Sequence, residues 1–237
     1  QAPLWLQLYL PSKRPEHIKR LVGRAQECGF KALVVTADAP VSGNRNAEQR
    51  AGFQLPKPIS AVNLNDFLLP AAQAHPDSGS GPLFASGLLA QAPTWDDLAD
   101  LIRQSPLPVI LKGVLSAEDA KIAQNLGCAG IIVSNHGGRT LDGLPASIDA
   151  LPAIVDAVGP HWPILLDGGI RRGSDAFKAI ALGAKAVLIG RPIVWALASA
   201  GAAGVAHSIQ LLRAELEVCM ALTGCPSLDA IQSSSIY

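Results

Sequence analysis

The stretch "IIVSNHGGRTLDG", residues 131–143, sets His136 and Arg139 just behind an apolar run. An imidazole titrates at about 6.5, so it can take a proton under physiological conditions. A guanidinium offers a planar fork of donors that matches a carboxylate. Together the two supply a base and an anion clamp. A lone histidine in a polar turn is ordinarily structural, and His17, His75, His161 and His207 are read that way. His136 differs because Ser134 and Arg139 flank it within one motif. Asp142, in "TLDG", is read as shaping a turn.

A second kind of chemistry lies further along. "DGGIRRGSDAFKAIALG" (167–183) is a strand end, paired glycines, two arginines and a helix beginning at Gly173-Ser174. "LIGRPIVWAL" (188–197) is another strand end with Gly190-Arg191 and a helix opened by Pro192. Glycines let backbone N–H groups approach an anion, helix amino-termini favour negative charge, and Arg adds bidentate donors. One such loop would be equally well explained as a turn with a solvated arginine. Two in succession point to a phosphate group.

The elements that must position these residues repeat. "RAQECGFKALVVTAD" (24–38), "IAQNLGCAGIIVSNH" (122–136) and "KAIALGAKAVLIGRP" (178–192) each read as a helix end, a glycine, an apolar strand and a polar turn. The glycines (Gly29, Gly127, Gly183) suit the left-handed position that closes a helix. Short all-apolar strands suit a parallel sheet covered on both faces. The pattern predicts strands at 4–10, 32–36, 109–112, 130–134, 163–167 and 186–189. Helices are expected over 16–28, 95–105, 117–126, 147–158, 174–182, 193–200 and 205–223.

That alternation is an α/β fold. Polar residues gather at the carboxyl ends of the strands: Tyr9, Thr36, Asp38, Lys112, Ser134, His136, Asp167, Gly190 and Arg191. In a (β/α)8 TIM barrel those ends form one active-site face, and phosphate recurrently binds after the last two strands. A doubly wound sheet would instead place a glycine-rich turn after the first strand, and "YLPSKRPEH" is not one. Six strands are two short of a barrel. The opening "QAPLWLQLYL" already has a strand pattern and no initial Met, so the first two strands and the helices before them are expected upstream. Residues 1–237 are read as a single barrel domain, with the Pro-, Ser- and Gly-rich excursion 39–93 as a lid or inserted loop.

Composition narrows the partners. The chain is 49% hydrophobic and 16% charged with zero net charge, so it can bury a core and carries no basic stretch suited to nucleic acid. Cys28, Cys128, Cys219 and Cys225 form no CxxC pair and have no nearby His at ligand spacing, so reduced thiols and no metal are expected. The apolar run Pro192–Ala206 falls short of the roughly 18 residues that a spanning helix requires, and no signal peptide opens the chain. A cytoplasmic protein, or one peripheral at the inner membrane, is the expectation.

The segments "LKG", "IIVSNHGGRTLDG", "DGGIRRGSD" and "IGRP", together with "TADAP", "GNR" and the opening "QLYL", resemble the FMN-dependent α-hydroxy-acid oxidase and dehydrogenase family. Glycolate oxidase, lactate oxidase and mandelate dehydrogenase belong to it. The resemblance covers most of the chain outside roughly residues 55–93. It implies a barrel holding FMN and oxidation of an L-2-hydroxy acid to the 2-oxo acid. Oxygen, or a quinone or cytochrome, would accept the electrons, and a tetramer-like homo-oligomer is implied. By the resemblance Gln7, Thr36, Lys112 and Ser134 fall on positions that contact the flavin ring or ribityl chain, and Asp167 on the ribityl chain. Gly169, Arg171, Gly190 and Arg191 fall on the phosphate site. Tyr9, Arg45, His136 and Arg139 fall on positions that hold or act on the substrate, and Asp38 on the acid that orients the histidine. From the residues alone, Asp38 could equally cap a turn and Tyr9 could be a core aromatic. Two other readings stay open: another FMN barrel enzyme, such as an isomerase of the isopentenyl diphosphate type, or a non-catalytic barrel fragment.

Overall fold

The computed structural model describes residues 2–10, 15–60, 62–64 and 92–236. Six strands follow one another in sheet order: β1 (Trp5–Leu8), β2 (Ala32–Thr36), β3 (Val109–Val114), β4 (Gly130–Val133), β5 (Ile164–Asp167) and β6 (Ala186–Leu188). Among the described residues seven α-helices lie between and after them: α1 (Pro15–Glu27), α2 (Asn46–Arg50), α3 (Trp95–Gln104), α4 (Ala117–Asn125), α5 (Ser147–Val158), α6 (Gly173–Ala181) and α7 (Arg191–Leu222). The fold is therefore α/β, with six consecutive units of a (β/α) barrel.

The chain divides into two compact units. The first holds residues 1–110 with the short segment Arg139–Asp142, and the second holds 111–138 with 143–237, so the boundary falls inside β3. In the first unit β1 and β2 pair in parallel, with Gln7 opposite Val34. β2 is buried along its whole length, and Leu21 of α1 and Leu101 of α3 are buried as well. α3 starts where Asp97 accepts from both the N–H and the hydroxyl of Thr94, at 2.7 and 2.8 Å, a carboxylate lock on the first turn.

In the second unit β4 pairs in parallel with β5, and β5 with β6. Ile131, Ile132, Val133, Ile164 and Leu166 are sealed from solvent with Leu151 and Ile154 of α5. Such strands need cover on both faces, which is why they read as unbroken apolar runs. Gly130 permits the entry of β4, because a Cβ there would meet the Pro163 carbonyl oxygen at 2.6 Å.

The repeat is a shared helix closure. Gly29, Gly127 and Gly183 take positive φ of 79°, 91° and 109°. Each donates its N–H to the residue three back (Gln26, Gln124, Ile180), and the next residue donates to the residue five back (Ala25, Ala123, Ala179). That double bond pattern satisfies the last carbonyls of α1, α4 and α6 with an αL glycine.

Two features, both in α7, depart from the sequence expectations. The helices expected over 193–200 and 205–223 are two arms of α7 that meet at a break, Ala200 (φ −149°) and Gly201 (φ 58°). By length and composition α7 is long and apolar enough to cross a bilayer, because the run without Asp, Glu, Lys or Arg continues past Ala206 to Leu212. It packs along α6. The excursion contains α2 and a 3-10 turn at Val62–Leu64, whereas its stretch 65–91 lies outside the described residues. The four cysteines are free thiols, and burial pushes that of Cys128 up to about 11.

Candidate active site

The expected site residues fall into two sets, one in each unit. In the first unit Gln7, pointing from β1, donates through Nε2 to the hydroxyl of Thr36 at 2.8 Å, and Thr36 is buried at the end of β2. Tyr9 follows β1 and Asp38 follows β2. Partial burial raises the phenol of Tyr9 above its ordinary range, the Asp38 charge adds to this, and Arg45 opposes it. Tyr9, Asp38 and Arg45 thus share one electrostatic neighbourhood.

Two arginines meet in this unit. Arg45 precedes α2, and its Nη1 lies 3.4 Å from Oε2 of Glu48. Arg139 reaches the same carboxylate from a loop far along the chain, with Nη2 at 2.7 Å from Oε1. Gly43 makes this possible. A Cβ at that position would lie 2.2 Å from the Thr140 carbonyl oxygen and 2.7 Å from that of Arg139, so only glycine lets the two loops touch. The Arg139 hydrogen bond, opposed by desolvation and aided by Arg45, holds the Glu48 carboxyl below the usual carboxylate range. The Nε of Arg45 is buried and has no acceptor. Glu48 was not anticipated from sequence. The i,i+3 spacing from Arg45 signals one half of the bridge; nothing local signals the other.

In the second unit Lys112 of β3 lies 2.8 Å from Oδ2 of Asp167, at the end of β5, and donates to the Ser134 hydroxyl at 2.9 Å. Both ionic side chains are mostly buried, and Ser134 is fully so. The Ser134 hydroxyl in turn accepts the His136 N–H at 3.0 Å. His136 has φ of 57°, the left-handed region that side chains with a Cβ avoid. Its neighbours over-determine the turn. Asn135 Oδ1 accepts from Gly137 N–H at 3.1 Å, the Asn135 carbonyl from Gly138 at 3.0 Å, and the Asn135 amide donates to the Pro145 carbonyl at 3.2 Å. A backbone strained at this one residue and braced on both sides matches what functional positions store.

Arg191, the first residue of α7, donates to the Gly137 carbonyl at 3.1 Å. The Arg171 guanidinium lies over the Trp195 ring at 4.8 Å. Gly169 and Gly190 each have open space where a Cβ would project, so their backbone is approachable. The amides at the start of α6 are taken by internal carboxylates instead. Asp175 Oδ2 accepts from Arg171 and Arg172 N–H at 3.0 and 2.9 Å, and Glu215 accepts from Gly173 N–H at 2.8 Å while pairing with Arg172 at 3.0 Å. The Gly173 N–H is thus satisfied from within the chain by Glu215 of α7. Donors for an external phosphate are then Arg171, Arg191 and the Gly169 and Gly190 backbone.

This set fits a flavin mononucleotide. Arginines and open glycines suit the phosphate, Oδ1 of Asp167 is buried without a hydrogen-bond partner, as a ribityl hydroxyl would require, and Lys112 offers a cation beside it. Among the described residues no group of three or more His, Cys, Asp or Glu side chains is placed to hold a metal ion.

Comparison with known proteins agrees. Residues 1–237 match the family described as FMN-dependent dehydrogenase. The chain is 50% identical over 232 residues to an L-lactate oxidase of Alicycliphilus denitrificans, covering 98% of this chain and 63% of that protein. It is 44% identical over 233 residues to glycolate oxidase 1 of Oryza sativa subsp. indica, with the same two coverages of 98% and 63%. Among solved structures, a mandelate oxidase with (S)-2-phenylpropionate superposes with a TM-score of 0.83 at 41% identity, covering 98% of this chain and 62% of that one. Another, a mandelate oxidase variant carrying a C4a-OH-FMN adduct, gives 0.81 at 40% identity over 97% of this chain and 62% of that one. The chain thus spans a little under two thirds of the length of the relatives it matches.

Proposed function

Since the chain belongs to the FMN-dependent dehydrogenase family, we propose that it serves the oxidation of an L-2-hydroxy acid, of lactate, glycolate or mandelate type, to the 2-oxo acid. The observation that carries this reading is the convergence of Arg45 and Arg139 on one carboxylate, Glu48. Two guanidinium forks brought together from distant parts of the chain form a receptor for a carboxylate group.

Arg45 and Arg139 hold the substrate carboxylate, and Tyr9, kept protonated by its surroundings, offers a phenol hydrogen bond to it or to the 2-hydroxyl. His136 takes the substrate proton. Asp38 is assigned the part of the acid that orients a catalytic histidine and stabilises its imidazolium, as the acid does in hydrolytic triads. Gln7, Thr36, Lys112 and Ser134 hold the flavin ring and ribityl chain, Asp167 the ribityl hydroxyls, and Gly169, Arg171, Gly190 and Arg191 the phosphate. When bound, FMN supplies the acceptor for the two electrons that leave the substrate's α-carbon. Positioned charges of this kind commonly supply a large share of rate enhancement. The oxidase names of the relatives support oxygen over a quinone or cytochrome as final acceptor. A homo-oligomer in the cytoplasm is part of the same proposal.

The test is the visible spectrum of the purified protein before and after anaerobic L-lactate or L-mandelate. Flavin bands that bleach are the expected result, and a colourless protein counts against this chain as an enzyme. His136→Ala should keep the bands and slow bleaching by about 10²–10⁴, the range of general-base catalysis. Fast bleaching in that variant would remove His136 from its role.

A further inference from the structure

Glu48 touches both arginines of the proposed receptor, yet the proposed mechanism gives it no role. Its carboxylate is shared, with one oxygen on Arg139 at 2.7 Å and the other on Arg45 at 3.4 Å. Each guanidinium carries five N–H donors in a rigid fork. A carboxylate that gives one oxygen to each therefore leaves most donors of both forks available, and the buried Nε of Arg45 has no acceptor at all. The charges in direct contact sum to plus one, from two guanidinium groups and one carboxylate. Without Glu48 the same two forks would present plus two. The Gly43 contact, which admits no Cβ, fixes the two loops so that one carboxylate spans both arginines.

We propose that Glu48 is a specificity-determining positioning residue: it bridges Arg45 and Arg139 and cancels one of their two charges, so that the pair takes a monocarboxylate in preference to a dicarboxylate. This rests on the reading that Arg45 and Arg139 hold the substrate carboxylate, and it adds why a 2-hydroxy monocarboxylic acid is the class received. A second carboxylate on the ligand would meet Glu48 across a few ångströms of partly screened space. At that distance like charges differ in energy by an amount equivalent to about tenfold in affinity.

The test uses binding, not turnover. Propionate and malonate are titrated into the flavin-loaded protein, and their dissociation constants are read from the change in flavin absorbance. Glu48→Gln keeps the side chain's length and one acceptor oxygen but removes the charge. It should shift the malonate-to-propionate affinity ratio toward malonate by about tenfold at low ionic strength, and added salt should shrink the shift. Glu48→Asp keeps the charge and should hold the ratio within about twofold of the unmodified protein, since the charge count is unchanged. If the Gln variant fails to retain flavin, Glu48→Ala is the neutral variant judged by the same ratio. An unchanged ratio in the neutral variant, with both ligands still bound, overturns the proposal, as does an Asp variant that shifts as far as the neutral one. Failure of the underlying reading has a different signature: Arg45→Lys and Arg139→Lys would leave propionate binding untouched.

Discussion

The ionic network behind His136 can be broken with one substitution, and its cost can be worked from the geometry. Lys112→Met keeps the side chain's bulk and removes its charge. Asp167 would then lose its partner at 2.8 Å while only 17% of its side chain is exposed. Removing one member of a buried pair typically costs about 3–5 kcal/mol, because the remaining charge is left uncompensated. Asp167 keeps some contact with water, so a cost at or just below the bottom of that range, about 2–3 kcal/mol, applies. Ser134 also loses a donor at 2.9 Å, but its hydroxyl still accepts from His136, so the added cost is under about 1 kcal/mol. A total near 3 kcal/mol corresponds to a fall in Tm of roughly 6–12 °C for a chain of this size. The assay is thermal unfolding of the flavin-free protein by circular dichroism, so that lost flavin affinity does not enter. Adding Asp167→Asn removes the stranded charge and should recover about 2 kcal/mol of the loss, although the two changes together delete more interactions. The reasoning fails if Lys112→Met lowers Tm by less than about 3 °C. It fails equally if the double variant is no more stable than the single one.

Three further predictions rest on the same geometry. Gly43→Ala places a Cβ 2.2 Å from the Thr140 carbonyl oxygen and must push the two arginine loops apart. It should cost about 1–3 kcal/mol and weaken propionate binding, and an unaltered affinity would show that the loop contact does not hold the receptor. His136→Gly should be more stable than His136→Ala by about 1 kcal/mol in denaturant unfolding, since both lose the imidazole and only glycine accepts φ of 57° without strain. An Ala variant as stable as the Gly one would contradict the strained turn. Tyr9 has its pKa raised by burial and then by Asp38, so its neutral form is favoured in the fold. The sign follows: this contribution to stability is complete below the ordinary phenol value of about 10 and is lost as pH rises through the higher folded value. A titration of phenolate absorbance, compared with Tyr9→Phe, should show Tyr9 ionising above 10.0, and ionisation at or below that value would refute it.

Much of this protein was legible in its sequence because the signals were local. A glycine two residues past a helix end closes that helix whatever lies elsewhere, so Gly29, Gly127 and Gly183 announced α1, α4 and α6 with correct bounds to within a residue or two. Unbroken apolar runs marked β2 and β4 because a strand covered on both faces has no reason to alternate. The polar residues just beyond the strands could be named for the same reason: the strand ends set where side chains emerge.

What tertiary structure alone decided are the pairings between segments distant in the chain. Glu48 reads as an ordinary acid on a short helix until folding brings Arg139 to it, and Gly43 reads as a flexible loop glycine until Thr140 lies against it. Glu215 reads as one of the charges along α7 until it caps Gly173 and removes the start of α6 from the anion site. Local propensity carries no information about such contacts, because the free energy that forms them comes from burying and aligning groups that meet only once the chain is folded. The sequence determined which side chains were available for the chemistry. The fold decided which charges those side chains would face.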